Sequence, residues 1–180
     1  MEFLYFLVTG SDAWSLYHQN FFVAQGGFTT GVIAAAVIGA VLSCAFYFGC
    51  CNSKDTQKSA NIGVWAAFLL IAIVVGYLFA DNVVIGSSST TDKSSLFRKY
   101  SFYEANDTYY LNETRGASPT KIEDLASLNA TIKANLDKGG DVRKPYNITT
   151  AVLTAIFFFI TSMVVKRYTI AGKGIPFKKP

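Results

Sequence analysis

The stretch GFTTGVIAAAVIGAVLS, residues 27–43, carries a small residue at every fourth position and no charge. These residues, here called the small-residue stripe, are Gly27, Gly31, Ala35, Gly39 and Ser43. At this spacing they follow one face of a helix. Helices in lipid associate where small residues let two backbones approach closely. The stretch therefore predicts an apolar helix that packs tightly against another helix.

Three uncharged runs are long enough to cross a bilayer, since about 20 apolar residues span its ~30 Å hydrocarbon core. The runs are 28–49 (22 residues), 62–80 (19 residues) and 145–165 (21 residues). A composition of 51% hydrophobic and 16% charged residues is also unlike that of an ordinary soluble domain. We expect an all-α integral membrane protein with transmembrane helices at 28–50, 62–86 and 147–165.

The distribution of Lys and Arg predicts the orientation of the chain. Residues 1–27 contain neither, whereas the tail 166–180 contains five basic residues and no acid. By the positive-inside rule, this tail and the loop 51–61 are expected in the cytoplasm, and residues 87–146 outside. The chain is expected in a plasma membrane or bacterial inner membrane, with the N-terminus outside. The net charge of +4 comes largely from the tail, which indicates anionic lipid or a cytosolic partner rather than nucleic acid.

Residues 1–27 are expected to form an interfacial amphipathic segment outside the membrane. The start, MEFLYFLV, lacks the basic region and the cleavage site of a secretory signal. Trp14, Tyr17 and Phe21 can share one helix face and anchor it at the headgroup level. A fourth, short or re-entrant span is the alternative.

The loop 87–146 begins as a polar linker and then becomes rich in aromatic residues, which predicts either two short strands or an irregular cap. Thr120 and Glu123 match a capping box, and Gly139 and Gly140 match a helix end, so one amphipathic helix is expected between them. A loop of about 60 residues has little core of its own. We expect assembly to stabilise it.

Candidate catalytic and metal-binding residues do not form a pattern in this sequence. His18 is the single histidine, and no set of three or four ligands accompanies it. No phosphate-binding or nucleophile motif is present either. We therefore expect no enzymatic activity, no cofactor and no metal. Asp81, at the outer edge of the second span, is expected to reach water rather than to line an ion pathway.

Two kinds of covalent modification are candidates. Cys50 and Cys51 lie beside the membrane, where cysteines are palmitoylated in eukaryotes. Glycosylation sequons occur at Asn106, Asn112 and Asn129, and would be used in a secretory eukaryotic protein. A fourth sequon, at Asn147, lies too close to the third span to be a good acceptor.

The second span has small-residue pairs of its own. These are Gly63 with Ala67, and Ala72 with Gly76. The simplest interpretation pairs the first and second spans within one subunit. Further alanines on the first span offer a second face to another chain. The expected partners are therefore the lipid bilayer, a second copy of the chain, or other membrane proteins of a complex.

Two functions follow as hypotheses. The first is a non-enzymatic membrane subunit that oligomerises and anchors or scaffolds a larger complex. The alternative is a homo-oligomeric pore lined by hydroxyl groups. Its candidate lining residues are Thr29, Thr30, Thr150, Thr154, Thr161 and Ser162. If Gly31 and Gly39 mediate assembly, replacing both with Leu should abolish the complex and preserve membrane insertion.

Overall fold

The computed structural model describes residues 2–10, 20–51, 61–86, 96, 102–105, 108–111, 120–124, 126–128, 130–131 and 140–169. These residues are mostly helical, and three helices are long and apolar enough to cross a membrane. The prediction of a multi-pass helical membrane protein is confirmed at this level.

The described chain begins with an N-terminal segment made of a 3-10 turn, Glu2–Tyr5, and the short helix α1, Phe6–Thr9. A π-helix, Asn20–Ala24, precedes the first long helix. The long helices are α2 (Gly27–Cys50), α3 (Ile62–Phe79) and α4 (Gly140–Val165). A π-helix, Ala80–Ile85, extends α3, and a 3-10 turn, Lys166–Tyr168, extends α4. The resulting apolar spans are Gly27–Cys50, Ile62–Ile85 and Val142–Tyr168.

The second span has an identifiable signal at each end. The Asn61 side-chain oxygen accepts a hydrogen bond from the Val64 N–H at 3.0 Å, as an N-cap residue does. At the other end Gly86 has a φ of +85° and donates its N–H to the Asp81 carbonyl at 2.9 Å. Glycine suits this position because it adopts positive φ without steric cost.

The helix α4 begins earlier than expected. Gly140, predicted to end the preceding helix, is instead the first residue of α4, which adds seven residues before the predicted start at 147. Val142 and Tyr146 on these added turns are buried, with 2% and 0% of their surface exposed. Burial of these apolar side chains stabilises the turns of α4 that precede the predicted span.

A small antiparallel sheet lies where the loop was predicted. It contains β1 (Phe102–Ala105), β2 (Thr108–Leu111) and β3 (Thr120–Ile122), in the order β1-β2-β3. The predicted helix start at Thr120 is therefore wrong. Thr120 pairs with Leu111, and both Leu111 and Ile122 are buried. Cross-strand pairing and burial outweigh the local capping signal.

Helical backbone is found instead at residues 126–128 and 130–131. Asp124 caps it, since its carboxylate accepts hydrogen bonds from the Ser127 N–H and hydroxyl, both at 2.7 Å. The N–H bond, and then the hydroxyl bond, hold the pKa of Asp124 below its ordinary value.

Contacts divide the chain into two compact units. Unit one consists of Met1–Val32 and Leu78–Thr149, and unit two of Ile33–Tyr77 and Thr150–Pro180. In unit one the most buried apolar side chains include Tyr5, Val8, Phe22, Phe28, Leu128 and Tyr146. The core cluster of unit two comprises Phe46, Tyr47, Cys51, Trp65, Ala72 and Phe158.

Candidate functional site

The part of the small-residue stripe in unit two packs against α4. A Cβ placed on Gly39 would lie 2.7 Å from the Phe158 nitrogen and 2.8 Å from the Thr154 carbonyl oxygen. Gly76 of α3 also faces Thr154, whose side chain a Cβ at Gly76 would overlap. Two spans thus approach the same residue of the third. The sequence paired these small residues of the first span with those of the second, whereas Gly39 and Gly76 both face Thr154 of α4.

The part of the stripe in unit one packs against aromatic residues. A Cβ at Gly31 would meet the hydroxyl groups of Tyr5 and Tyr146, and a Cβ at Gly27 would meet the Phe21 ring at 2.7 Å. The Tyr146 hydroxyl also donates a hydrogen bond to the Gly27 carbonyl at 2.9 Å. These glycines provide the space that the rings occupy.

All five stripe residues are buried within the chain. The close approach that the stripe provides is therefore used inside the chain. Gly31 and Gly39 each face atoms of their own unit. The loss of a complex on replacing both with Leu stays a prediction.

A hydrogen-bonded cluster joins the three spans inside unit two. The hydroxyl groups of Ser43 and Ser162 lie 3.0 Å apart, and the Trp65 indole N–H donates to Ser162 at 3.3 Å. Each residue comes from a different span, and all three are buried. Such hydrogen bonds between helices contribute to association in lipid, where an unpaired polar group is costly. The sequence suggested Ser43 as a packing residue but did not indicate its hydroxyl partner.

A charged cluster lies in unit one. The Arg143 Nε donates to the Asp81 carboxylate at 2.7 Å, and the Asn147 amide donates to the same oxygen at 2.6 Å. The side chains of Arg143 and Asp81 are 25% and 23% exposed. Asp81 thus forms an ion pair with Arg143, whereas we expected its carboxylate to be solvated by water. Arg143 and Asn147 are four residues apart and share a helix face, a signal that the sequence contained.

Two buried oxygens near the start of the third span have no hydrogen-bond partner among the described residues. They are the Asn147 Oδ1 and the Thr149 Oγ1. Asn147 itself is fully buried, which is consistent with its being a poor glycan acceptor. Its amide nitrogen is directed toward Asp81, so its orientation follows from the charged cluster.

The small-residue pairs on the second span differ in exposure. Ala72 and Gly76 are buried, whereas Gly63 and Ala67 are exposed. The described atom nearest to a Cβ at Gly63 would be the Asn61 side-chain oxygen, at 3.2 Å. This span is also the least covered of the three: 17% of its apolar stretch is buried inside the chain, against 39% and 33% in the other two.

The two juxtamembrane cysteines differ in accessibility. Cys51 is fully buried in the core cluster of unit two, and Cys50 is half-buried. Burial raises the pKa of the Cys51 thiol to about 11, and the neighbouring Cys50 adds to this rise. Cys50 is therefore the more accessible of the two candidate lipidation sites.

Of the remaining residues singled out in the sequence, some lie within the described part of the chain and others do not. Phe21, expected as an interfacial anchor, is 3% exposed and packs edge-to-face on Phe22 with ring centroids 5.0 Å apart. The candidate anchors Trp14 and Tyr17, the histidine His18 and the sequons at Asn106, Asn112 and Asn129 lie outside the described residues. Among the residues that the structure describes, no group of three or more His, Cys, Asp or Glu side chains could hold a metal ion.

Comparisons of the chain with protein-family models, with curated proteins and with solved structures found no match. The chemistry of the described residues is that of helix association. Polar side chains between the helices bond to one another, and the outward faces of the spans are apolar. This arrangement is suited to an apolar surrounding, such as the interior of a membrane.

Proposed function

We propose that this chain is a non-enzymatic membrane subunit that associates with itself or with other membrane proteins and so anchors or scaffolds a larger complex. The contact surface in this proposal is the outward face of the second span. The observation that carries it is the exposure of Gly63 and Ala67 on the span that its own chain covers least.

The exposed pair can admit a second helix because both side chains are small. A partner backbone that approaches Gly63 and Ala67 gains dispersion contacts that longer side chains would prevent. The neighbouring outward residues on this helix are apolar, including Leu70 and Val74, which are 62% and 55% exposed. On this face, two small residues that another helix could approach closely are surrounded by apolar side chains.

The pore hypothesis has less support because its buried hydroxyl groups bond inside the subunit. The Thr154 hydroxyl donates to the Thr150 carbonyl at 2.8 Å, one turn earlier in the same helix. Ser162 is bonded to Ser43 and Trp65. Hydroxyls used in this way are not directed at permeating ions. The lining set would reduce to Thr29, which is exposed, and to Thr30 and Thr161, which are half-buried.

The proposal is tested by substituting the exposed pair. The full chain is purified in mild detergent, and its oligomeric state and co-purifying proteins are determined by native mass spectrometry. We expect an oligomer or complex for the parent and its loss in Gly63→Leu and Ala67→Leu, because each new side chain separates the helix backbones. Membrane insertion should persist, since Leu is more favourable in lipid than Gly or Ala.

Val41→Leu is the matched control, because Val41 is an outward residue of the first span and is 59% exposed. It adds a methylene group on a different helix and should leave assembly unchanged. A parent chain that is monomeric and binds nothing would refute the proposed function. Undiminished assembly in both second-span variants would show that lipid covers this face.

A further inference from the structure

The N-terminal segment has two faces with different surroundings. Tyr5 and Val8 are fully buried in unit one, whereas Phe3 and Phe6 are 75% and 66% exposed. Residues 3–9 carry no charged side chain. The segment therefore presents two large apolar rings outward while its opposite face is held by protein.

Aromatic contacts hold this segment beside two spanning helices. The Tyr5 ring stacks on Phe28, the second residue of α2, with ring centroids 4.7 Å apart. It also stacks on Tyr146 of α4 at 5.1 Å. The Tyr5 hydroxyl lies against Gly31, where a Cβ would overlap it. Three positions of the spans thus fix where the segment lies along them.

These contacts place the segment near one boundary of the hydrocarbon layer. Gly31 is four residues inside the start of α2, which is about 6 Å along a helix that rises 1.5 Å per residue. The 24-residue span is about 36 Å long, somewhat more than the ~30 Å hydrocarbon core. The end of α2 that Tyr5 contacts therefore lies at the boundary between headgroups and acyl chains.

The segment is too short to cross the membrane. Its eight residues, four in a 3-10 turn and four in an α-helix, extend about 14 Å at rises of about 2.0 and 1.5 Å per residue. This is about half of the hydrocarbon thickness. A segment of this length, uncharged over residues 3–9, fits within one leaflet at this depth.

From this geometry we infer that residues 2–9 lie in one leaflet as a non-spanning wedge, with the Phe3 and Phe6 rings embedded among lipids at the headgroup–acyl boundary. The partner of this surface is the bilayer itself, and the surface continues that of the apolar spans to which Tyr5 attaches it. Exposed aromatic rings of a short helix favour this region of a bilayer. The inference is independent of whether the second span binds a partner.

The inference is tested by fluorescence of the full chain in phospholipid vesicles. Phe3→Trp and Phe6→Trp each add one indole, and the signal of the parent, which contains Trp14 and Trp65, is subtracted. We expect the added fluorescence to be lost in vesicles whose lipids are brominated near the headgroup end of the acyl chain. Bromination near the methyl end should cause a smaller loss, and aqueous iodide should cause little.

Lys121→Trp is the matched control, since Lys121 is an exposed polar position on β3 of the same unit. Its added fluorescence should respond to iodide and not to brominated lipid. Iodide quenching of the Phe3 and Phe6 variants would overturn the inference by placing these rings in water. Protection of both variants from iodide and from brominated lipid would also overturn it, by showing that protein covers the segment.

Discussion

The glycines of α2 differ in what an added methyl group would encounter. At Gly39 the nearest atoms belong to the backbone of α4, at 2.7 and 2.8 Å, and these cannot rotate away as a flexible side chain would. At Gly49 no described atom lies within 4 Å. The same substitution in one helix should therefore have different effects on stability at the two positions.

We expect Gly39→Ala to destabilise the protein by about 1–3 kcal/mol, the usual cost of overpacking an interior. Gly49→Ala should be neutral or should stabilise by up to about 1 kcal/mol, because Ala favours helix over Gly. Thermal unfolding in detergent micelles, followed by circular dichroism, measures both. Equal stability of the two variants would show that α2 and α4 can separate at Gly39 without cost.

Cys51 leads to a prediction about alkaline pH. Its folded pKa is about 11, raised from an ordinary value of 9.0. Between these values the unfolded chain loses the thiol proton while the folded chain retains it, so stability falls as pH rises through this window. Cys51→Ala should flatten the fall in melting temperature between pH 9 and 11, and Cys50→Ala should flatten it less, because Cys50 makes the smaller contribution to the raised pKa of Cys51. An unchanged slope in Cys51→Ala would assign the alkaline loss to other groups.

At the scale of elements, the charged cluster joins the π-helix that extends α3 to the first turns of α4. In Asp81→Asn, Arg143 loses the carboxylate that it contacts at 2.7 Å. We expect a loss of about 1 kcal/mol, since bonds to charged groups are strong but this pair is partly exposed to screening. Thermal unfolding at low and high salt measures the loss, which should be smaller at high salt.

Glu123→Gln is the control for this substitution, because it neutralises an exposed acid in the same unit. It should leave the melting temperature nearly unchanged. If Asp81→Asn unfolds at the same temperature as the parent, the ion pair contributes nothing to joining the two helices. The double variant Asp81→Asn with Arg143→Gln would then show no coupling either.

The helices and strands show which sequence patterns were sufficient to predict secondary structure. Uncharged runs predicted three apolar helices long enough to cross a membrane, because the bilayer requires that length of apolar chain and internally satisfied backbone hydrogen bonds. The capping box at Thr120 was misleading, because Thr120–Ile122 pairs as β3 with a strand that is nearby in space. Local capping contributes about 1 kcal/mol, which strand pairing and burial of Ile122 can exceed.

At the scale of the whole molecule, the sequence could indicate close helix contact but not the identity of the partner. The small-residue stripe has the same composition whether it faces its own chain or another. The structure directs Gly31 to two tyrosines and Gly39 to α4. Gly63 and Ala67 are exposed on the outer face of the second span. Which small residues are buried and which are exposed depends on how the helices pack, and this cannot be read from the periodicity of a single helix.

The contact between Tyr5 and Tyr146 has a consequence for biogenesis. Because synthesis runs from the N-terminus to the C-terminus, Tyr5 leaves the ribosome before Tyr146, which emerges only with the third span. Until then the N-terminal wedge lacks the stacking partner that α4 supplies. Its final docking must therefore be a late, post-insertion step. A translation product arrested before the third span would leave this end of the nascent chain more open to proteases and chaperones than the finished protein.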